Sequence, residues 1–372
     1  MKLNDITSVI TDYVANGSFK SLRDNAYYVS KDKGFARVIR LTDYNNSFNE
    51  NDTVWVDESG YNFLSKSSLK PKDIIISNVG AYLGTVFYAP NLTIPMTLGP
   101  NAILIRPNEK VLNEYLYYLL SSHYGFSKIM AIKSGSAMPK FNKTDLKAIE
   151  FFIHNKDEQQ HIVDILGTLD EKIENNEQLI NILENLAEKK YLDFAIKTST
   201  KTRLEDVIEL FDSKRIPLSS REREQRKGIY PYYGATGILD YVNSFLFSGE
   251  YVLFAEDGTV TDTNGHPIVQ LVNGNFWVNN HAHILKGKNG WHDYTLYVAL
   301  KQLNVDKAVT GAVQPKINQA NLLSLEIPNL SNNNLQTINT ELDVVFHKVF
   351  HLRAENKSLQ ELKGLYLKKF FE

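Results

Sequence analysis

The sequence predicts an α+β fold: two pseudo-repeated modules of mixed α/β structure, separated by two long antiparallel helices that form a coiled coil. Three observations lead there. Residues 157–194, DEQQHIVDILGTLDEKIENNEQLINILENLAEKKYLDF, hold one glycine, no proline and apolar residues at three- and four-residue spacing, the pattern of a helical seam. Residues 335–371 show the same pattern at the end of the sequence. Each stretch follows a run of short strand-like segments and turn residues, so the chain reads as module, helix, module, helix.

The helices come first because their length sets the scale. About 38 residues of helix span roughly 57 Å at 1.5 Å per residue, too long to sit inside one compact domain. The first seam is Ile162, Leu166, Leu169, Ile173, Ile180, Leu183, Ala187 and Phe194, with Asn176 its polar member. The second is Ile338, Leu342, Val345, Val349, Leu352, Leu359, Leu362, Tyr366 and Phe370, with Asn356 polar. A lone polar seam residue is a register device; the other reading leaves one or both asparagines facing solvent. The link Lys197–Thr202 is short. For the seams to bury each other the second helix must run back along the first, which places Met1 and Glu372 beside the first module.

The repeat is visible directly. Gly135–Glu150 (GSAMPKFNKTDLKAIE) lies 176 positions before Gly311–Glu326 (GAVQPKINQANLLSLE), and Gly, Pro, Lys, Asn, Leu and Glu coincide without a gap. The same offset carries Leu166 onto Leu342 and Leu183 onto Leu359. At the module starts, KLNDITSVI resembles RLEDVIEL at an offset of 201, so the second copy is shorter by 25 residues inside. A shared frame around a different interior suggests one module in two specificities.

Composition narrows the class. With no cysteine among 372 residues, disulfides, thiolate metal sites and thiol catalysis are excluded, as fits a reducing compartment. The start, MKLNDITSVITDYVANG, has no apolar run of signal-peptide length, and no stretch is long and apolar enough to span a bilayer. A cytoplasmic protein is expected. Net charge is only −2, but residues 156–193 hold ten acidic side chains against four lysines, so the remainder is net positive. The positive charge is clustered in Lys20, Arg23, Lys31, Lys33, Arg37 and Arg40, in Lys128, Lys133, Lys140, Lys143 and Lys147, and in Lys214, Arg215, Arg221, Arg223, Arg226 and Lys227. Basic patches interleaved with Tyr and Phe suit phosphate contacts.

In chain order, Leu3–Val14 reads as a short amphipathic helix and residues 15–35, broken by Gly17 and Gly34, as a basic loop. Phe35–Tyr44 and Thr53–Asp57 read as strands. Lys72–Tyr88 reads as a buried strand (Ile74, Ile75, Ile76), a turn with Gly80 and Gly84, and a second strand. That turn matches neither a Walker loop nor a dinucleotide fingerprint. Asn101–Arg106 follows as a strand, Val111–Tyr124 as a helix, and Asn142 or Thr144 caps a short helix. The second module repeats the order. Thr202–Leu210 opens it, a basic loop runs to Lys227, and two short strands lie in YPYYGATGILDYV. Glu250–Glu256 is the buried strand, Asp257-Gly258 its turn, and Phe276–Leu285 a strand. His281 and His283 would share a face there, but no third ligand lies near in sequence, so no metal site is expected.

Catalytic constellations are missing. There is no Pro-Pro dipeptide, hence no Asn/Asp-Pro-Pro-aromatic signature of an amino-methyltransferase, no Gly-x-Ser-x-Gly and no Walker lysine. The chain is expected to perform no chemistry.

These features together resemble the specificity subunit of a Type I restriction–modification system, over essentially the whole chain. The resemblance rests on the module–helix–module–helix order and on the frame of Gly135, Pro139, Lys140 and Leu146 with Gly311, Pro315, Lys316 and Leu322. It rests also on the helix start Glu158, Gln159, Gln160 and Ile162, and on Tyr230, Pro231, Tyr233 and Gly234. The second helix departs from it, beginning NNNLQTI. The resemblance implies target recognition domains at 1–155 and 198–330, a spacer helix at 156–197 and its partner at 331–372. Each domain would read one half of a bipartite, asymmetric double-stranded DNA site. Two methyltransferase subunits with S-adenosylmethionine would dock on the helices to methylate adenine N6, and restriction subunits with ATP and Mg would join them. A coiled-coil scaffold without DNA specificity is the alternative. Base contacts are expected from Lys20, Arg23, Arg37, Asn78 and Tyr82 in the first domain, and from Arg221, Arg223, Asn280 and His281 in the second. Lys140 and Lys316 suit phosphate contact or a module–helix junction.

Overall fold

The computed structural model describes residues 1–50, 52–135, 137–311 and 313–372. It divides into two compact units, Met1–Ile173 with Ser358–Glu372, and Glu174–Lys357, so each unit contains one module and a piece of both long helices. The helices run Lys156–Ala195 and Asn332–Phe371. No helix among the described residues is long and apolar enough to cross a membrane.

The first unit is built on two four-stranded sheets. One runs in the order Thr7–Asp12, Ala102–Pro107, Ile74–Ser77, Val86–Tyr88, all antiparallel. One face of it, through Ile74, Ile76, Ile103 and Ile105, packs on Tyr115, Leu116 and Leu119 of the helix Asn113–Ser121. The other face, through Ile75, Phe87 and Leu104, packs on Ile39, Met96 and Leu98 of the second sheet. Burial on both faces is why Ile74–Ile76 is a continuous apolar run instead of an alternating one. The second sheet runs Val54–Val56, Ala36–Ile39, Met96–Leu98, Ser68–Leu69, with Ala36–Ile39 parallel to Met96–Leu98.

The second unit repeats this plan. Its first sheet is Ile208–Leu210, Ala282–Gly287, Tyr251–Ala255, Val269–Val272, and its second is Ile238–Val242, Lys227–Tyr233, Asn275–Val278, Phe247–Ser248. A parallel contact again joins the two middle strands of the second sheet. The module edges agree in detail: Lys2 bridges Glu150, and Arg203 pairs with Glu326.

Several elements differ from the sequence expectation. Leu3–Val14 is a 3-10 turn (Leu3–Ile6), a strand (Thr7–Asp12) and another 3-10 turn (Tyr13–Asn16). The 3-10 turn sets the buried Leu3 and Ile6 three positions apart, and with Ile10 four further on they mimic a helical spacing; a bulge lies between Thr7 and Val9. The bulge also moves the repeat offset from 201 to 200, setting Asp12 opposite Asp212. The expected loop 15–35 contains a helix, Phe19–Asn25, capped by Ser18. Phe35–Tyr44 is strand only over Ala36–Ile39, followed by a helical turn. Phe276–Leu285 is two strands in different sheets, because the chain crosses between sheets at Asn279–His281. The helix expected at Val111–Tyr124 ends at Ser121, and Ser122 caps another, His123–Ala131.

Within the first unit Ile162 and Leu166 are buried, Leu169, Ile173 and Leu359 are half-buried, and Phe371 packs on Tyr115 and His154. Met1 donates to the Phe151 carbonyl and Glu372 pairs with His123, so both residues belong to this unit. Within the second unit Asn176, Ile180, Leu342, Val345, Val349, Leu352 and Asn356 are buried and Leu183 is half-buried. The helices are antiparallel there: Glu184 meets Arg353 at 2.6 Å and Lys190 meets Glu341 at 2.7 Å. Tyr191 and Phe346, which the stripes omitted, are buried, whereas Leu362, assigned to a seam, is 40% exposed. Its repeat counterpart Leu186 is 41% exposed.

Candidate nucleic-acid interface

The shared Gly-x-x-x-Pro-Lys frame is a clamp on the turn that follows each buried strand. Gly135 and Gly311 sit at φ +82° and +86°, and a Cβ would lie 2.7 Å from the Met138 carbonyl oxygen and 2.4 Å from that of Gln314. Only glycine takes that backbone without strain. The loop then closes on itself, Ser134 exchanging backbone bonds with Lys140 and Thr310 with Lys316. The Pro139 carbonyl accepts from Gly80 N–H and the Pro315 carbonyl from Gly258 N–H. Gly84 N–H bonds the Ser77 carbonyl. The glycine amides that a phosphate cradle would need are therefore already used.

Strand register equates positions in the two units. Ile76 and Phe254 face Ile103 and His283, Ser77 and Ala255 face Ala102 and Ala282, and Asn78 and Glu256 bond the carbonyls of Asn101 and His281. Asn78 thus corresponds to Glu256, and Lys140 to Lys316.

In the first unit this position is open. A cavity of about 600 Å³ lies between the helix Phe19–Asn25 and the turn, with Asn78, Val79 and Pro100–Ala102 on one side. Asn78 Nδ2 donates to the Phe141 carbonyl at 3.2 Å, while its Oδ1 is buried without a hydrogen-bond partner. Lys20, Arg23 and Lys140 are exposed around it, Arg23 lying 3.5 Å from Asp24, and Tyr82 is 62% exposed beyond the turn. Phe19, at 87%, and Tyr27, at 57%, are unusually exposed aromatics on the same side.

In the second unit the position is filled with charge. Arg215 Nη1 lies 2.6 Å from Glu256, 3.4 Å from the Asn280 carbonyl and 2.8 Å from that of Ala282. Lys316 Nζ reaches Glu256 at 3.2 Å. His283, 1% exposed, bonds Asp212 through Nδ1 at 2.6 Å and the Ile317 carbonyl through Nε2 at 2.9 Å. Burial pushes the Asp212 carboxyl up, but His283, Ile284 N–H and Arg215 together outweigh it and hold its pKa below the ordinary value. Glu256 behaves alike: burial raises it, and Arg215, His283 and Lys316 bring it below. Asp212, Glu256 and His283 come close enough together to hold a cation, supplying the acidic ligands that are distant in sequence. Arg215 and Lys316 already neutralise those carboxylates, so the charge a metal would balance is spent.

The sequence-chosen residues therefore separate. Arg37 is a correction. It is 1% exposed, its guanidinium held by Glu50 at 3.2 Å and by the Phe48 and Asn49 carbonyls, with Asp43 at 3.7 Å. A residue so enclosed cannot reach a base edge. Arg223 is also occupied, bonding Asp240 and the Leu218 carbonyl. Arg221 and the side chain of Asn280 are exposed, while the half-exposed His281 bonds Asp257. Lys316 is an ion-pair member, and Lys140 is exposed. Reasoning from sequence missed Phe19, Tyr27 and Tyr28, whose only signal was aromatic residues flanking a basic run, and missed the roles of Asp212, Arg215 and Glu256.

Comparison with known proteins agrees with this geometry. The family model described as Type I restriction modification DNA specificity domain matches residues 3–185 and 196–358. A putative type I restriction enzyme specificity subunit of Haemophilus influenzae is 36% identical over 125 residues, 34% of this chain and 31% of that protein. A specificity subunit of Methanocaldococcus jannaschii is 33% identical over 117 residues, 32% of this chain and 26% of that protein. These alignments span about a third or less of the relatives' length. The crystal structure of a type I restriction–modification S subunit from M. genitalium has the same fold, with a TM-score of 0.58 at 17% identity over 100% of this chain and 95% of that one. Two copies of the module, each matched along most of its length, place this chain in the family of Type I restriction modification DNA specificity domains.

Proposed function

We propose that this chain is the DNA-reading, non-catalytic specificity subunit of a Type I restriction–modification complex in the cytoplasm. Each module binds one half of a bipartite, asymmetric double-stranded site, and the paired helices set the gap and dock two methyltransferase subunits. S-adenosylmethionine, and ATP with Mg, belong to the modification and restriction subunits.

The observation that carries this reading is one frame with two different surfaces. Strand order, clamp and turn are the same in both units, yet the space beside the turn is an aromatic cavity in one and an ion-pair network in the other. A module that kept its scaffold while varying that face is what two distinct half-sites require.

The test is co-expression with the methyltransferase subunit followed by mapping of modified adenines. A bipartite motif with unequal halves and a fixed gap is expected. Complex formation without any sequence preference would replace the reading with a coiled-coil scaffold.

A further inference from the structure

The cavity beside Asn78 has a filled counterpart in the same chain, and the filling shows what chemistry the place accepts. In the second unit the occupant is the Arg215 guanidinium, a flat group that donates to Glu256 and to the carbonyls of Asn280 and Ala282. In the first unit the corresponding residues Asn78, Pro100 and Ala102 line open space. The carboxylate of the second unit is replaced by the neutral amide of Asn78, whose Nδ2 donates to the Phe141 carbonyl. Asp12, the counterpart of Asp212, also lines the cavity and is paired with Lys143 at 3.1 Å.

The walls favour a ring. Tyr13, Phe19, Tyr27 and Tyr28 line the cavity. The helix carrying Phe19 also bears Lys20 and Arg23, both exposed and of the charge that a phosphate strand attracts. We infer that this cavity receives one unstacked nucleobase of the DNA, stacked against the aromatic side chains. The inference rests on the DNA-reading function proposed above. Stacking on the aromatic side chains offsets the stacking that the base loses in leaving the duplex. The second unit, plugged by Arg215, takes no base in this way.

The test uses the full chain in complex with its methyltransferase subunit and duplexes carrying 2-aminopurine at successive positions of both half-sites. The expected result is a fluorescence change marking one unstacked position in the half-site read by the first unit, in addition to the target adenines that the methyltransferase subunits extrude, and no additional position in the other half-site. Phe19→Ala with Tyr28→Ala removes that additional signal and weakens binding about five- to hundredfold. Sequence-specific methylation with no unstacked position in the first half-site besides the target adenine, or with an additional signal that the double variant leaves unchanged, overturns the pocket and leaves the specificity function standing. Loss of sequence preference in the unaltered complex overturns both.

Discussion

Asn176 Nδ2 donates to Asn356 Oδ1 at 2.8 Å inside the helix pair, with both residues buried and Glu355 accepting from the same amide at 2.9 Å. The bond satisfies polar groups only when the helices lie in one register, since a slip by a turn sets the amides against leucine or isoleucine. Replacing Asn356 alone by Leu should cost about 1–3 kcal/mol, because part of the Asn176 amide loses its partner in a dry seam. The pair of Leu substitutions should cost less than the sum of the singles. Urea titration of the two singles and the double gives the coupling; strict additivity would show that the asparagines act independently.

Arg215 holds two half-buried carboxylates, so its removal is a stability experiment before it is a DNA experiment. Arg215→Ala should destabilise the second unit by about 1.5–3 kcal/mol, the range for losing a hydrogen bond to a charged group. A melt in which only one of two transitions moves would show it. An unchanged melt would mean that Lys316 and His283 alone compensate Glu256 and Asp212.

The same carboxylates set a pH dependence. Asp212 and Glu256 have folded pKa values below their ordinary ones. As pH falls the unfolded chain takes up these protons first, near pH 4. The stability they contribute is complete above that range and is lost as pH drops through their lower folded values. Denaturation midpoints followed from pH 6 to pH 3 should decline for the second unit, and the decline should be smaller in Glu256→Gln. A flat profile would contradict the network.

Lys140 and Lys316 occupy equivalent positions and should behave differently. Lys140 is exposed, whereas Lys316 pairs with Glu256 at 3.2 Å. Lys140→Ala should weaken DNA binding without changing sequence preference and should lower the salt slope by about 1. Lys316→Ala should instead lower thermal stability. Matching salt slopes for the two variants would assign both lysines to phosphate.

Gly135→Ala and Gly311→Ala test the clamp. Each places a methyl group against a carbonyl oxygen at a left-handed backbone position, at a cost of about 1–2 kcal/mol or more. Hydrogen exchange at the Gly80 and Gly258 amides, which bond Pro139 and Pro315, should quicken in the matching variant only.

What could be read from sequence was whatever repeats or keeps a period. The seam residues stand every three or four positions, and the Gly135 and Gly311 frames align without a gap, so helices, duplication and clamp were legible. The strand Thr7–Asp12 was not, because the 3-10 turn before it places Leu3, Ile6 and Ile10 at a helical spacing. Arg37 was misread because a basic residue beside other basic residues looks exposed, and only the fold brings Glu50 and Asp43 around it. Asp212 and Glu256 lie 44 positions apart with nothing local to join them; strand pairing does that. The cavity is subtler still, being defined by an arginine present in one copy and missing from the other.

The first compact unit is discontinuous in the chain: residues 174–357 intervene before Ser358–Glu372 completes it. During synthesis at about 5–20 residues per second, the first module waits on the order of 10 to 40 seconds for those last residues. Throughout that interval Tyr115, Ile162 and Leu166 lack the cover that Tyr366, Leu367, Phe370 and Phe371 provide. The second unit, continuous and finished earlier, is free to fold first, so the order of maturation reverses the order of translation. A nascent chain in this state presents an uncovered apolar strip that a chaperone would recognise, and a premature stop after Lys357 would injure the module made first.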